Sequence, residues 1–502
     1  MSRYLLGIDS GGTMTKAALF TLDGHEIAAQ FSPVTMLFPE PGFTERDPVG
    51  MWNATCEAIK SIIATTGIDN TEIAAVSATG YGSGLFCVDA QGNPTCNAIV
   101  STDSRAVDIM EEWHAAGYAE KAEPILTQRF WPAQSLVLLG WFQKHRPDIM
   151  ANTATIFECK DYTKMRLTGQ RTTDVTDAAL GGLLNMYDQR YATDLMIELG
   201  LEQWIDKLPT LAQPEDIAGE VTEEAAQQTG LRKGTPVATG AIDIICSNIA
   251  SGVVDPSQLS IVAGTWSINN AVRANQPQTS LMPMAQMPYL IPNTYLATEA
   301  SATSASNLEW CCNNVFDAEK TAATATGESI YDRCGRMVQS RRDNPSDVMF
   351  MPYLFGSEGN KPAGFIGLEA RHERADLVYA VYESIVYSHK MHIDLLKSAS
   401  DTSPQSIRLS GGAARSDEWA QLFSDVLGLP VEVASGTEFG AFGASICAAV
   451  GIGTYADYSD AVTNMVRVSK RFEPDPKHAE RHAARYDKFL RVGAALADSW
   501  ST

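Results

Sequence analysis

Asp9-Ser10-Gly11-Gly12-Thr13, with Lys16 just beyond, brings together the residue types that a polyphosphate requires. Glycines let phosphate oxygens approach backbone amides, hydroxyls donate to them, and a carboxylate can hold Mg2+ through its water shell. As local structure alone, the same residues are a tight turn between two strands. Gly264-Thr265 repeats the pattern in the second half of the chain. Two such hairpins facing each other would clamp one triphosphate from both sides, which favours phosphate binding over the bare turn.

A second candidate is Asp243, which follows the apolar segment 236–241 and precedes Ile244-Ile245. An acid so placed is either a helix N-cap or a general base that takes the proton of an attacking hydroxyl, as phosphoryl transfer demands. Gly411-Gly412-Ala413, with Ser416, ends a strand-like run. Glycines there either let adenine or ribose lie against backbone or simply make a turn. His389 and His392 lack a third metal ligand nearby and are read as non-metal residues. Tyr379, Tyr382 and Tyr387 on the same helix are assigned to inter-domain packing.

Alternating strands and amphipathic helices must position these groups. Residues 4–8 read as a buried strand, residues 16–20 as its return, and Glu26 to Gln30 as a third strand after the Leu22-Asp23-Gly24 turn. Asp47-Pro48 has the form of an N-cap and first helical residue, followed by Trp52, Cys56, Ile59 and Ile63 at helical spacing. Ile73 to Ser77 predicts another strand, closed by a loop containing Gly80 and Tyr81. Turn formers at 252–258 mark an inter-domain connection, giving domains 1–252 and 253–502. The second opens on a strand at 260–263, the Gly264-Thr265 turn and a return at 267–272, so the architecture looks duplicated. Later come a strand at 406–410, a helix through Trp419, Leu422, Phe423 and Val426 ending at Gly428, a strand at 431–433 and a small-residue helix from Ala441 to Val450. The fold class is α/β.

The 502 residues exceed one ordinary core, and 45% hydrophobic with 20% charged residues is a globular composition. A formal charge of -22 repels nucleic acid and anionic membranes, and no basic patch offsets it. A small neutral substrate suits this field. Nine scattered cysteines, without a CxxC pair, predict reduced thiols rather than disulfides or zinc. Without a charged leader or an apolar run near 20 residues, a cytoplasmic protein is expected.

Taken together, the chain resembles the FGGY family of carbohydrate kinases, in the actin-like, ribonuclease-H-like ATPase fold. Ala363-Gly364-Phe365-Ile366-Gly367-Leu368, followed after seven residues by residues 376–383, fits that family's C-terminal signature. Lys160-Asp161-Tyr162 with Arg166-Leu167-Thr168-Gly169, and Asn307-Leu308-Glu309-Trp310, are further familiar stretches, and the likeness spans residues 4–455. It implies two ribonuclease-H-like domains with an inter-domain catalytic cleft, ATP as co-substrate, Mg2+ and a sugar acceptor. Within the family the chain is most similar to pentulose kinases of the L-xylulose kinase kind. A ketopentose such as xylulose is the acceptor so implied, with ribulose or an erythritol- or glycerol-type polyol as alternatives. A non-catalytic sugar sensor is a rival of another class, and a homodimer is left open.

The resemblance also assigns roles. Asp9, Ser10, Gly11, Gly12, Thr13 and Lys16 would form the first phosphate loop, with Asp9 near Mg2+, and Gly264 with Thr265 the second. Asp243 would be the base, and Gly411, Gly412, Ala413 and Ser416 the adenosine site. Gly80, Tyr81, Asp103 and Arg105 fall where the family meets its sugar. Xylulose kinases usually carry Met-His, and glycerol kinases Arg-Glu, where this chain has Gly80-Tyr81. Gly80 is expected to leave volume in the pocket floor, and Tyr81 to offer a hydroxyl and an aromatic face.

Overall fold

The computed structural model describes residues 3–274, 283–356, 361–398 and 402–500. β1 (Tyr4–Ser10), β2 (Met14–Thr21) and β3 (Glu26–Pro33) form an antiparallel meander. Leu5, Leu6 and Ile8 are fully buried, as a central strand covered on both faces requires. β4 (Ile73–Gly80) lies parallel to β1 on its other side, with Asp9 opposite Thr79 and Ser10 opposite Gly80. The strand thus runs three residues past Ser77, and Gly80 closes it instead of sitting in the loop. β5 (Ile217–Glu220) and β6 (Pro236–Ala238) complete a six-stranded sheet of order β5-β6-β4-β1-β2-β3.

A second sheet repeats this pairing. β7 (Gln258–Ala263) is antiparallel to β8 (Ser267–Arg273) and parallel to β9 (Ser406–Gly411), as β1 is to β2 and β4. β10 (Val431–Ala434) then pairs parallel to β9 and antiparallel to β11 (Val468–Phe472). The duplicated hairpin is therefore real at the level of strand direction, although no sequence period marks it.

Helices cover these sheets. α1 (Pro48–Thr66) begins where Asp47 accepts a hydrogen bond from the Val49 amide at 2.9 Å, and it buries Trp52, Cys56 and Ile59. α2 (Cys159–Thr168), α3 (Val175–Leu180) and α4 (Asp243–Ala250) follow in the first half. α5 (Ala305–Asn314), α6 (Arg374–Ser398) and α7 (Asp417–Leu427) belong to the second, and α7 stops at left-handed Gly428. α8 is Phe439–Gly451. Tyr382 of α6 packs tilted against Trp419 with ring centres 4.5 Å apart, and Tyr387 lies 5.6 Å from Phe489. These tyrosines therefore pack within one unit, not between domains as their spacing suggested, because α7 and the C-terminal helix close over α6.

Two compact units result. One comprises Met1–Val254, Ala274–Leu296 and Gly436–Val466, the other Asp255–Arg273, Ala297–Ser435 and Arg467–Thr502. Where the sequence suggests one boundary after residue 252, the chain crosses at Val254 and returns to the first unit twice. Close packing explains the second return: a Cβ on Gly7 of β1 would lie 1.8 Å from the Ala441 carbonyl oxygen of α8. Gly443 of the same helix leaves 2.0 Å between such a Cβ and the Cys246 oxygen of α4.

Gly7→Ala should therefore force strand and helix apart and lower stability by about 2 kcal/mol or more in urea unfolding. Gly67→Ala, at a left-handed helix end with open space around it, should cost about 1 kcal/mol through backbone strain alone. Equal losses at the two positions would refute the packing argument.

Candidate functional site

The end of β1 places Asp9 beside three elements. Lys16 faces it across the hairpin, and the Lys16 ammonium pairs with Glu438 at 3.0 Å. A Cβ on Gly440, at the start of α8, would lie 2.6 Å from the Asp9 carboxylate, so only glycine there lets the acid keep its seat. Among the described residues no cation reaches Asp9 within ion-pair distance. Burial raises its pKa to about 6, with Lys16 opposing and Glu438 adding to the rise. Ser10 turns its hydroxyl inward, 3.4 Å from Thr163 on α2, which leaves its backbone alone for the turn. Gly12 and Thr13 are exposed at the tip.

Asp243 is the first residue of α4, and Ile242 holds the cap position without a side-chain bond. The acid is therefore not the N-cap, since a cap must precede the first helical residue. The segment leading to it is clamped. Gly240 adopts φ +76°, and a Cβ there would meet the Ala78 oxygen at 2.1 Å. Thr79 donates to the Ala241 carbonyl at 2.7 Å, and the Ile242 amide donates to the Thr176 hydroxyl at 3.0 Å. Thr176 in turn donates to Asp174 at 2.5 Å. Burial, reinforced by the charge of Asp9 and opposed by the Ile244 amide, pushes the Asp243 pKa up to about 8. Once ionised, a carboxyl so raised is a stronger base than an ordinary one.

The proposed sugar residues sit close by in sequence but differ in what they offer. A Cβ on Gly80 would lie 3.2 Å from the Ser10 oxygen and 3.3 Å from the Cys159 sulfur. The expected spare volume is therefore absent: parallel pairing with β1 fills it. Tyr81 is largely buried under the Arg46 guanidinium, 4.8 Å from its ring centre, and its hydroxyl has no oxygen or nitrogen partner. Asp103 accepts from the Thr44 amide at 2.6 Å and from Arg105 Nε at 3.0 Å and NH2 at 2.9 Å. Arg105 also bonds Glu45 at 2.8 Å and lies over Phe43. Asp103 and Arg105 thus engage each other first and brace residues 43–45.

In the second unit, Thr265 and Trp266 are exposed at the β7–β8 turn. The amide of Ala305 donates to the Gly264 carbonyl at 2.9 Å, and the Ser306 hydroxyl to the Thr265 carbonyl at 2.9 Å, so α5 anchors the turn. Gly411 has φ +82° and would put a Cβ 2.7 Å from the Ala263 oxygen. Beside it opens a pocket of about 610 Å³ lined by Thr265, Glu309, Tyr331, Tyr382, Gly412 and Ser416, among others. Ala413 is buried beneath, and Ser416 caps α7 by accepting from the Trp419 amide at 3.2 Å. This pocket brings Thr265, Gly412 and Ser416 together, with Gly264, Gly411 and Ala413 as its scaffold.

Sequence reasoning passed over Arg46, Thr176, Glu438 and Gly440 in the first unit and Tyr331 in the second. Only the Gly440-Ala441-Phe442-Gly443 run carried a signal, the spacing of small residues for close approach. His389 is held neutral by burial, its pKa near 3, between Ser267, Asn269 and Ser304 at 2.8 to 3.0 Å. Among the described residues the carboxylates close enough to share an ion are Asp161, Asp174 and Asp177. Lys160 occupies their centre at 2.6 to 2.9 Å, so this is a buried ion-pair cluster.

Comparison with known proteins gives a consistent result. The profile described as "FGGY family of carbohydrate kinases, N-terminal domain" matches residues 4–250, and its C-terminal counterpart residues 259–452. The chain is 32% identical over 498 residues to the L-xylulose/3-keto-L-gulonate kinase of Escherichia coli K12, covering 99% of this chain and 98% of that protein. It is 29% identical to a probable L-xylulose kinase of Haemophilus influenzae, covering 98% and 99%. The crystal structure of xylulose kinase from Rhodospirillum rubrum superposes with a TM-score of 0.89 at 26% identity, covering all of both chains.

Asp243 should leave a signature in stability. The folded carboxyl keeps its proton to about pH 8, whereas an unfolded one releases it near 3.8. Between those values the unfolded state binds fewer protons, so stability falls as pH rises. Asp243→Asn removes this loss. Its advantage over the parent in thermal midpoint should grow from pH 4 to pH 8 and then level off. A pH-independent difference would contradict the raised carboxyl.

Proposed function

The chain belongs to the FGGY family of carbohydrate kinases and phosphorylates a sugar, and from that premise we propose that it transfers the terminal phosphoryl group of ATP to a terminal hydroxyl of a ketopentose of the xylulose type. The single observation behind the chemistry is Asp243, a carboxyl raised by burial and by Asp9 at the start of α4. In this proposal Asp243 takes the proton of the attacking hydroxyl as the oxygen closes on the γ-phosphorus. Gly11, Gly12 and Thr13, with the backbone of Ser10 and with Lys16, receive phosphate oxygens. Gly264 and Thr265 form the second phosphate turn. The pocket walled by Gly412, Ser416 and Tyr331, with Gly411 and Ala413 as its scaffold, takes adenosine.

Mg2+ fits the donor set: Asp9 is a carboxylate with no ion-pair partner among the described residues, and a divalent cation held through water would relieve the repulsion between Asp9 and Asp243. Such an ion supplies charge neutralisation of the triphosphate. Asp9 is the residue that would hold it.

The sugar is assigned to the region of Gly80 and Tyr81, whose packed residues would shape its wall without bonding it, and Asp103 and Arg105 brace the neighbouring segment. The acceptor class rests on likeness along nearly the whole chain to kinases named for L-xylulose. At about 30% identity the pocket can differ in a few side chains, so the test is a panel. No helix among the described residues is long and apolar enough to cross a membrane. We assign the enzyme to the cytoplasm, where ATP is made available.

Phosphorylation of xylulose, ribulose, 3-keto-L-gulonate, erythritol and glycerol should rank a ketopentose above glycerol by at least about tenfold in kcat/KM, a difference of about 1.4 kcal/mol. Asp243→Asn should lower kcat by about 100-fold or more while binding of the best sugar is kept. Glycerol as best acceptor would overturn the ketopentose assignment. Near-normal turnover in the variant would remove Asp243 from the mechanism.

A further inference from the structure

We propose that Arg46 is the positioning residue of the first Gly-rich turn and that its uncompensated charge is matched only when a polyphosphate sits on that turn. The proposal rests on the kinase reading above. Arg46 pairs backbone to backbone with Ala98, and the next residue caps α1, so its main chain is fixed on both sides. Its side chain is completely buried. One guanidinium nitrogen donates to the Gly11 carbonyl at 3.2 Å and the other terminal nitrogen donates to the Gly12 carbonyl. Sulfur atoms of Met36 and Met51 lie 3.5 Å away, and the Tyr81 ring covers one face. Nε is buried without a partner.

Among the described residues no carboxylate lies within ion-pair distance of this cation. Arg105 makes the contrast, holding Asp103 and Glu45 at 2.8 to 2.9 Å. A buried guanidinium without a counter-charge is unfavourable, and two neutral carbonyls offset that only in part. The opposite face of the turn is open: Gly12 and Thr13 are exposed, and a Cβ on Gly12 would meet nothing within 4 Å. A phosphate resting there meets amides pre-set by the tether and a fixed positive field behind them. Because the same guanidinium covers Tyr81, it also ties the turn to the sugar loop.

The experiment compares wild type, Arg46→Met and Arg46→Lys by calorimetric binding of two probes, inorganic tripolyphosphate and adenosine, and by steady-state kinetics. Arg46→Met should weaken tripolyphosphate by about tenfold or more, the scale of a lost charged hydrogen bond, and leave adenosine within about twofold. Its kcat/KM for ATP should fall by a similar factor. Arg46→Lys keeps the charge but cannot span two carbonyls. It should hold tripolyphosphate within about threefold of wild type while kcat falls at least about fivefold. If Arg46→Met does not fold, the lysine variant alone decides, and wild-type kcat in it overturns the proposal. Equal weakening of both probes, or of neither, also overturns it. Sugar-dependent ATP turnover by wild type separates the two levels: if turnover is present and the variants are normal, only the role of Arg46 fails, whereas its absence removes the kinase reading as well.

Discussion

Close approach of backbone to backbone is the constraint on which the first unit depends. α8 lies against β1 at Gly7 and against α4 at Gly443, with no room for a single added carbon at either contact. Asp9 is the next-to-last residue of β1, α4 begins with Asp243, and α8 is preceded by Glu438. The same contacts that close the core therefore deliver three acids to one place. Glycine is required there by distance, and its conformational freedom matters chiefly at Gly240, where φ is +76°.

Crowding acids in a partly dry region has an electrostatic consequence. Asp9 and Asp243 each resist ionisation because they are buried, and the charge of Asp9 adds to the burial at Asp243. The Lys160 cluster shows the other way of burying acids. There two lysines meet Asp161, Asp174 and Asp177, and the Asp161 pKa falls to about 2 despite burial. Asp177 in the same cluster is raised to about 7 by burial, with Asp174 and Asp161 repelling it against the pull of Lys160. One group of acids gathers around buried lysines and links through Thr176 to the Ile242 amide. The other is left short of positive charge, a state that suits chemistry better than stability.

The sequence made the strands, the two Gly-Thr hairpins and the first capped helix legible, because each depends on local signals: buried runs, turn glycines and Asp47-Pro48. It could not show that Gly436–Val466 belongs with the first unit, since that placement follows from contacts with residues some 430 positions earlier. Asp243 could also be read as a cap until the helix boundary fixed it as the first helical residue. Gly80 misled for a related reason. Glycine beside a pocket suggests space, but β4 continues to it and the Ser10 oxygen and Cys159 sulfur fill the gap. Arg46 gave no signal because a charged residue before Asp-Pro reads as surface, and only its burial shows its role.

The central claim is that a raised carboxyl at Asp243 accepts the proton of the sugar hydroxyl during transfer. Rapid-quench measurement of a single turnover, with saturating ATP, Mg2+ and the best ketopentose, tests it most directly. The transfer rate should rise with pH between 6 and 9, following one ionisation at or below about 8, because Mg2+ near Asp9 would lower the Asp243 value from that of the free protein. In Asp243→Asn the remaining slow transfer should lose that dependence. A rate independent of pH across this range in the wild type, or the same ionisation persisting in the variant, would contradict the account.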